Sequence, residues 1–167
     1  MKKRLLCCLL AAVIFTGSLM GLAPLSRAAD DMTTSQKMID VLKENYEHIS
    51  VWLQGDGDEG YFSKFRNTDG IEIIPPHKAA YEKVLQRENI EYVGTRLHGG
   101  IYALRHQKRA AIISIDERAA SISADTGLIT LPKDNVDGLE SLVQGEIRMD
   151  LKIPFDRIAQ WKAQFGE

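Results

Sequence analysis

Residues 90–131 read IEYVGTRLHGGIYALRHQKRAAIISIDERAASISADTGLITL, and the period of their apolar positions decides the fold. Taken in alternation, Val93, Thr95 and Leu97 fall on one side, and Tyr102 and Leu104 answer them across Gly99-Gly100. Two glycines between alternating runs predict a β-hairpin. A three-residue turn, His98 to Gly100, would mix the two faces, so the hydrophobic pattern selects the two-glycine register. The other face then collects Gly94, Arg96, His98, Ala103 and Arg105, with Ile101 as its only large apolar member.

The next run, Ala110 to Ile115, is apolar on both sides, as in a central strand covered twice. Asp116-Glu117-Arg118 turns the chain into a strand over Ala119–Ala124. Asp125-Thr126-Gly127 turns it again into Leu128–Leu131, which Pro132 stops. A helical turn from Leu139 to Val143 and a last strand, Glu146 to Ile153, complete the set. The expectation is an α+β domain with an antiparallel sheet of about five strands.

Outside this stretch the period is helical. Met38, Val41, Leu42, Tyr46, Ile49 and Leu53 keep the three-and-four spacing of one buried stripe, which predicts a helix from Thr34 or Ser35 to about Leu53. A short extended piece, Ile71 to Ile74, meets Pro75-Pro76, and a second helix before the sheet runs to about Asn89 with Tyr81, Val84 and Leu85 on its apolar face. Pro154 opens a C-terminal helix with Ile158, Trp161 and Phe165 at helical spacing and Gly166 just past its end. Trp52 and Trp161 fall on the buried edges of their helices.

The first 28 residues have a separate character. Lys2, Lys3 and Arg4 precede an uncharged stretch from Leu5 to Ser26, and Ser26 and Ala28 are small residues at the spacing a signal peptidase requires. Charged start, apolar centre and small-residue end predict a secretory signal peptide over 1–28, cut after Ala28, with one α+β domain over 29–167. Cys7 and Cys8 lie at the start of the apolar run, not at its end where a lipidated cysteine would stand. Both would leave with the leader, so the mature domain would be cysteine-free, without disulfides or thiolate chemistry. The expected location is periplasmic or secreted, with no integral membrane segment after cleavage.

Charge narrows the partners. The chain carries a formal net charge of −2, and the leader would take four cations with it while every acidic residue stays. An acidic domain of this kind lacks the cationic footprint of a general nucleic-acid binder.

No constellation names a reaction. Asp56 and Asp58 fit the first and third positions of a calcium loop, but Gly60 and Asn67 stand where the fifth ligand and the closing Glu belong. His48, His77, His98 and His106 show no paired ligand spacing, so no metal site is expected. Ser114, Ser121 and Ser123 lack the Gly-x-Ser-x-Gly elbow. No catalytic residue and no cofactor is assigned.

Two binding surfaces remain. Arg96, His98 and Arg105 share the cationic hairpin face, which could receive a carboxylate or phosphate through charge-assisted hydrogen bonds, or stand as an ordinary solvated sheet face. Tyr61, Phe62 and Phe65 lie in a Gly/Asp-rich loop, folded back on the core or forming a contact surface. The leading expectation is a non-catalytic exported protein acting through a protein partner in the cell envelope, as an inhibitor, an immunity protein or an assembly accessory factor. The alternatives are a sensor or carrier of a small anionic ligand and a periplasmic hydrolase using a His–carboxylate pair at His98.

Overall fold

The computed structural model describes residues 6–9, 25–54, 57–145 and 148–166. Strand β1 (Leu6–Leu9) precedes helix α1 (Leu25–Asn45), strand β2 (Ile49–Trp52), helix α2 (Asp58–Phe62), strand β3 (Glu72–Ile74) and helix α3 (Lys78–Leu85). Strand β4 (Glu91–Gly94), helix α4 (Leu97–Arg105), strand β5 (Arg109–Ser114), helix α5 (Glu117–Thr126) and strand β6 (Thr130–Pro132) follow. A 3₁₀ segment (Lys133–Gly138) leads into α6 (Leu139–Gln144), and the chain ends on α7 (Phe155–Ala163).

Among the described residues every strand pairing is parallel. The expected antiparallel five-strand sheet is therefore wrong. Among the described residues seven α-helices accompany two all-parallel ladders, β2 with β3 and β4 with β5 and β6. Strand β1 lies between β2 and β4 and joins the ladders in the order β3-β2-β1-β4-β5-β6.

The correction has a local cause. Between parallel strands the chain must cross over, and here the crossovers are helices. For two of them the alternating pattern predicts strands. Over 97–105 the glycines are not a turn. Gly99, Gly100 and Ala103 form the buried face of α4, and a Cβ on Gly100 would come within 2.1 Å of Ile112 Cδ1 on the sheet. The glycines let a helix approach the strands closely, which alternation over so few residues cannot distinguish from a hairpin. Over 119–124 the small and polar residues belong to α5. Asp116 caps it by accepting from the Arg118 N–H at 3.0 Å, and Gly127 closes it at φ 72°, the left-handed conformation of a helix stop.

Other expectations also shift. The first helix ends at Asn45, and Ile49–Trp52 is a strand, because the β-branched and aromatic run ISVW suits a pleated sheet better than a continued helix. The helix starts at Leu25 and passes through the expected cleavage point. Most of the leader expected over 1–28 lies outside the described residues. Residues 148–154 form no strand, and residues 146–147 of the expected last strand lie outside the described set. The extended piece before Pro75, the second helix, the central strand at 110–115, the helical turn at 139 and the C-terminal helix after Pro154 all stand where they were expected.

The core divides across the sheet. Along β5, Ala111 and Ile113 pack on one side with Met38, Leu42, Val51, Val93 and Leu139, while Ala110 and Ile112 pack on the other with Tyr81, Leu85, Tyr92 and Ala103. Thus α1, α2 and α6 cover one face and α3, α4 and α5 the other, as the period of two along a strand requires. Helix α7 is the exception. None of its residues is buried, and Trp161, expected at a buried edge, is 59% exposed.

Candidate functional site

Parallel strands put all their carboxyl ends on one edge, so the loops that leave β2 and β4 meet there. Asp58, on the first turn of α2, is 2% exposed. Its Oδ2 accepts from the Gln54 backbone N–H at 2.8 Å, and the Arg96 Nη2 stands 3.6 Å from the same oxygen. Since β1 lies between β2 and β4, this ion pair spans the carboxyl end of β1. The side of the sheet on which the chain proceeds reverses at that point.

Arg96 is also the N-cap of α4, in an extended conformation and with no side-chain cap bond. A helix start of this kind presents backbone N–H groups and the positive end of the helix dipole. The helix is held from both sides. Tyr92, on β4, donates its hydroxyl to the Arg96 carbonyl at 2.7 Å, and Tyr81, on α3, donates to the Gly99 carbonyl at 3.0 Å. Tyr81 in turn stacks on Trp52 at the end of β2, with ring centroids 4.1 Å apart and planes 11° from parallel. Backbone, ring and hydroxyl contacts therefore fix the angle at which α4 meets the sheet edge.

The structure separates the residues that the hairpin had united. Arg96, beside Asp58, and exposed His98 both lie at the start of α4. Arg105 lies at the other end of a helix 9 residues long, about 13 Å away along the axis, where its guanidinium stands 5.9 Å from the Tyr102 ring centroid. Phe62 and Phe65 are each 6% exposed and belong to the core, and Tyr61 packs edge-on against Phe65 at 4.9 Å. Of the two alternatives for the aromatic loop, it is folded back.

The opposite edge of the sheet holds structural charge. Glu91 is buried and paired with Arg109, and accepts from the Tyr46 hydroxyl at 3.1 Å. Arg87 grips Glu72 with two bonds of 2.6 and 2.8 Å, and the Ser50 hydroxyl donates to the same carboxylate at 2.7 Å. These donors, Arg87 foremost, lower the Glu72 pKa to about 2.

Asp58 was missed as a partner of Arg96, having been weighed only as a calcium ligand. The available signal was a strand followed by Arg-x-His-Gly-Gly, where glycines can open a helix pressed on a sheet as well as close a hairpin. Among the described residues, no three His, Cys, Asp or Glu side chains come together to hold a metal. Nor is any described helix long and apolar enough to cross a membrane. Neither the family models, nor the curated proteins, nor the solved structures compared with this chain give a match.

Proposed function

We propose that this protein binds a small anionic ligand, a phosphate or carboxylate, at the carboxyl edge of its parallel sheet, with Arg96 and His98 as the recognising side chains. The observation that carries the reading is Arg96 at the start of α4, set against buried Asp58 at the start of α2. In open parallel sheets, ligands bind outside the carboxyl ends of the strands at such a reversal point. A helix N-terminus there adds N–H donors and a positive dipole end. Asp58 orients the guanidinium, and His98 brings a second donor from the first turn of the same helix.

The test is a melting screen of the full chain with inorganic phosphate, pyrophosphate and small carboxylates. A ligand at 100 times its Kd stabilises the fold by about 2.7 kcal/mol, a shift of several degrees. His98→Ala, an exposed change, should weaken that shift without altering the unliganded melting temperature, and Arg96→Gln should abolish it. A flat melting temperature across the whole screen overturns the proposal.

A second reading, a protein partner in the cell envelope, draws on a different surface from the one first expected. Ile153, Phe155, Trp161 and Phe165 are 57%, 70%, 59% and 65% exposed on and before α7. An apolar strip of this kind on a small protein marks a contact surface. Capture of one stoichiometric partner by the wild type, lost with Phe155→Ser plus Trp161→Ser, would support it; capture by both would remove α7 from it.

A further inference from the structure

Helix α7 buries none of its 9 residues, and a helix that short is marginal in water without a surface to pack on. Polar ties hold it to the end of α5. The Lys152 N–H donates to the Thr126 carbonyl at 2.8 Å, and the Arg157 guanidinium donates to Asp125 at 2.9 Å. A Cβ on Gly127 would lie 2.8 Å from the Asp150 carbonyl oxygen, so the lead-in to α7 lies close against that turn. What the segment exposes is apolar. Leu151, Ile153 and Phe155 come before and at the helix start, and Ile158, Trp161 and Phe165 follow along one side of it. Lys152, Arg157 and Lys162 recur along the strip, and Asp156 is the one acidic residue over 151–166, a net +2 in a chain whose total is −2.

We infer that α7 and its lead-in dock on an anionic lipid surface. Aromatic and aliphatic side chains on one side of a helix, with cations beside them, make up a segment that lies in a membrane interface. Trp161 suits that level, with an apolar ring and a polar N–H. A second copy fits worse, because a two-fold pairing sets the same +2 strip against itself. A protein groove shaped for a helix would take Ile158, Trp161 and Phe165, but the strip continues into Ile153 and Leu151, which are not helical. A fluid surface requires no such shape and accepts both parts. This docking rests on the α7 surface already marked as a contact and gives it lipid in place of a protein. It is independent of the anion site. Helix α5 ends where β6 is about to begin, at the amino edge of the sheet, so α7 is tied to the edge opposite Arg96.

Cosedimentation of the full chain with lipid vesicles tests the docking. Vesicles of phosphatidylcholine mixed with phosphatidylglycerol should bind it at least about tenfold more tightly than phosphatidylcholine alone. Lys152→Glu plus Lys162→Glu should erase that preference. Tryptophan emission should shift to shorter wavelength on the mixed vesicles, a change absent from Trp161→Phe. Phe155→Ser plus Trp161→Ser should release the chain from the vesicles with its melting temperature unchanged, because both residues are exposed. A wild-type chain that binds neither vesicle overturns the inference, as does vesicle binding that survives the double serine variant. A concentration-dependent dimer lost in that variant, with no vesicle binding, would assign the strip to a second copy instead. Vesicle binding without a captured protein removes the protein reading alone, whereas a stoichiometric protein partner without vesicle binding removes the lipid.

Discussion

Replacing Gly100 by alanine probes the contact that distinguishes this fold from a hairpin meander. An ideal Cβ at Gly100 would lie 2.1 Å from Ile112 Cδ1 and 3.0 Å from Tyr92 Cε1. Both partners are 0% exposed, so neither can swing aside into solvent. Either Ile112 leaves its rotamer or α4 lifts from β5. Overpacking of this type costs about 1–3 kcal/mol, and alanine's helical advantage over glycine offsets about 1 kcal/mol. The clash with two fully buried side chains puts the overpacking cost in the upper half of that range, so the net loss should be about 1–2 kcal/mol, or about 2–8 °C in melting temperature. Ile112→Val deletes the clashing Cδ1 and alone should cost about 1 kcal/mol. In the double variant the two losses should fall short of their sum by about 1 kcal/mol, because one change removes the atom the other strikes. Urea unfolding of all four proteins, followed by the fluorescence of half-buried Trp52 stacked on Tyr81, measures the cycle. Strictly additive losses would refute the close approach of α4 to β5, since a glycine in a hairpin turn has no reason to couple to Ile112.

The other predictions concern charge. Glu72 titrates at about 2 in the folded chain against an ordinary 4.5. Its ionised form therefore adds stability above pH 4.5 that is lost as the pH falls toward 2. With the carboxylate half in solvent the contribution should be about 1 kcal/mol. The stability difference between wild type and Glu72→Gln should shrink over that window, and a constant difference would refute the assignment. Glu91→Gln should cost about 3 kcal/mol, because it leaves the Arg109 charge without its buried counterion; an unchanged urea midpoint would show that the pair contributes nothing net.

Local chemistry was legible wherever a residue type acts within its own segment. Pro75-Pro76 before α3, Pro154 before α7, and the doubly apolar run at 110–115 needed no knowledge of distant contacts, because ring sterics and two-sided burial act at the position itself. Arg96, His98 and Arg105 were grouped only through a hairpin register, and α4 instead keeps Arg96 and His98 at one end and carries Arg105 to the other. Tyr61, Phe62 and Phe65 were not resolved between core and surface, since an aromatic triplet has no period that says which way a loop folds.

The sequence by itself determined where chain-breaking residues interrupt the elements, which side chains can enter a core, and where the charge lies. Only the tertiary structure decided that the strands run parallel, that Gly99-Gly100 opens a helix, and that Arg96 meets Asp58 while Arg105 is carried to the far end of α4. The reason is one of distance along the chain. Alternation and helical spacing differ little over nine residues, and the clash that requires glycine at position 100 comes from Ile112, on a strand that the intervening segment must first bring alongside.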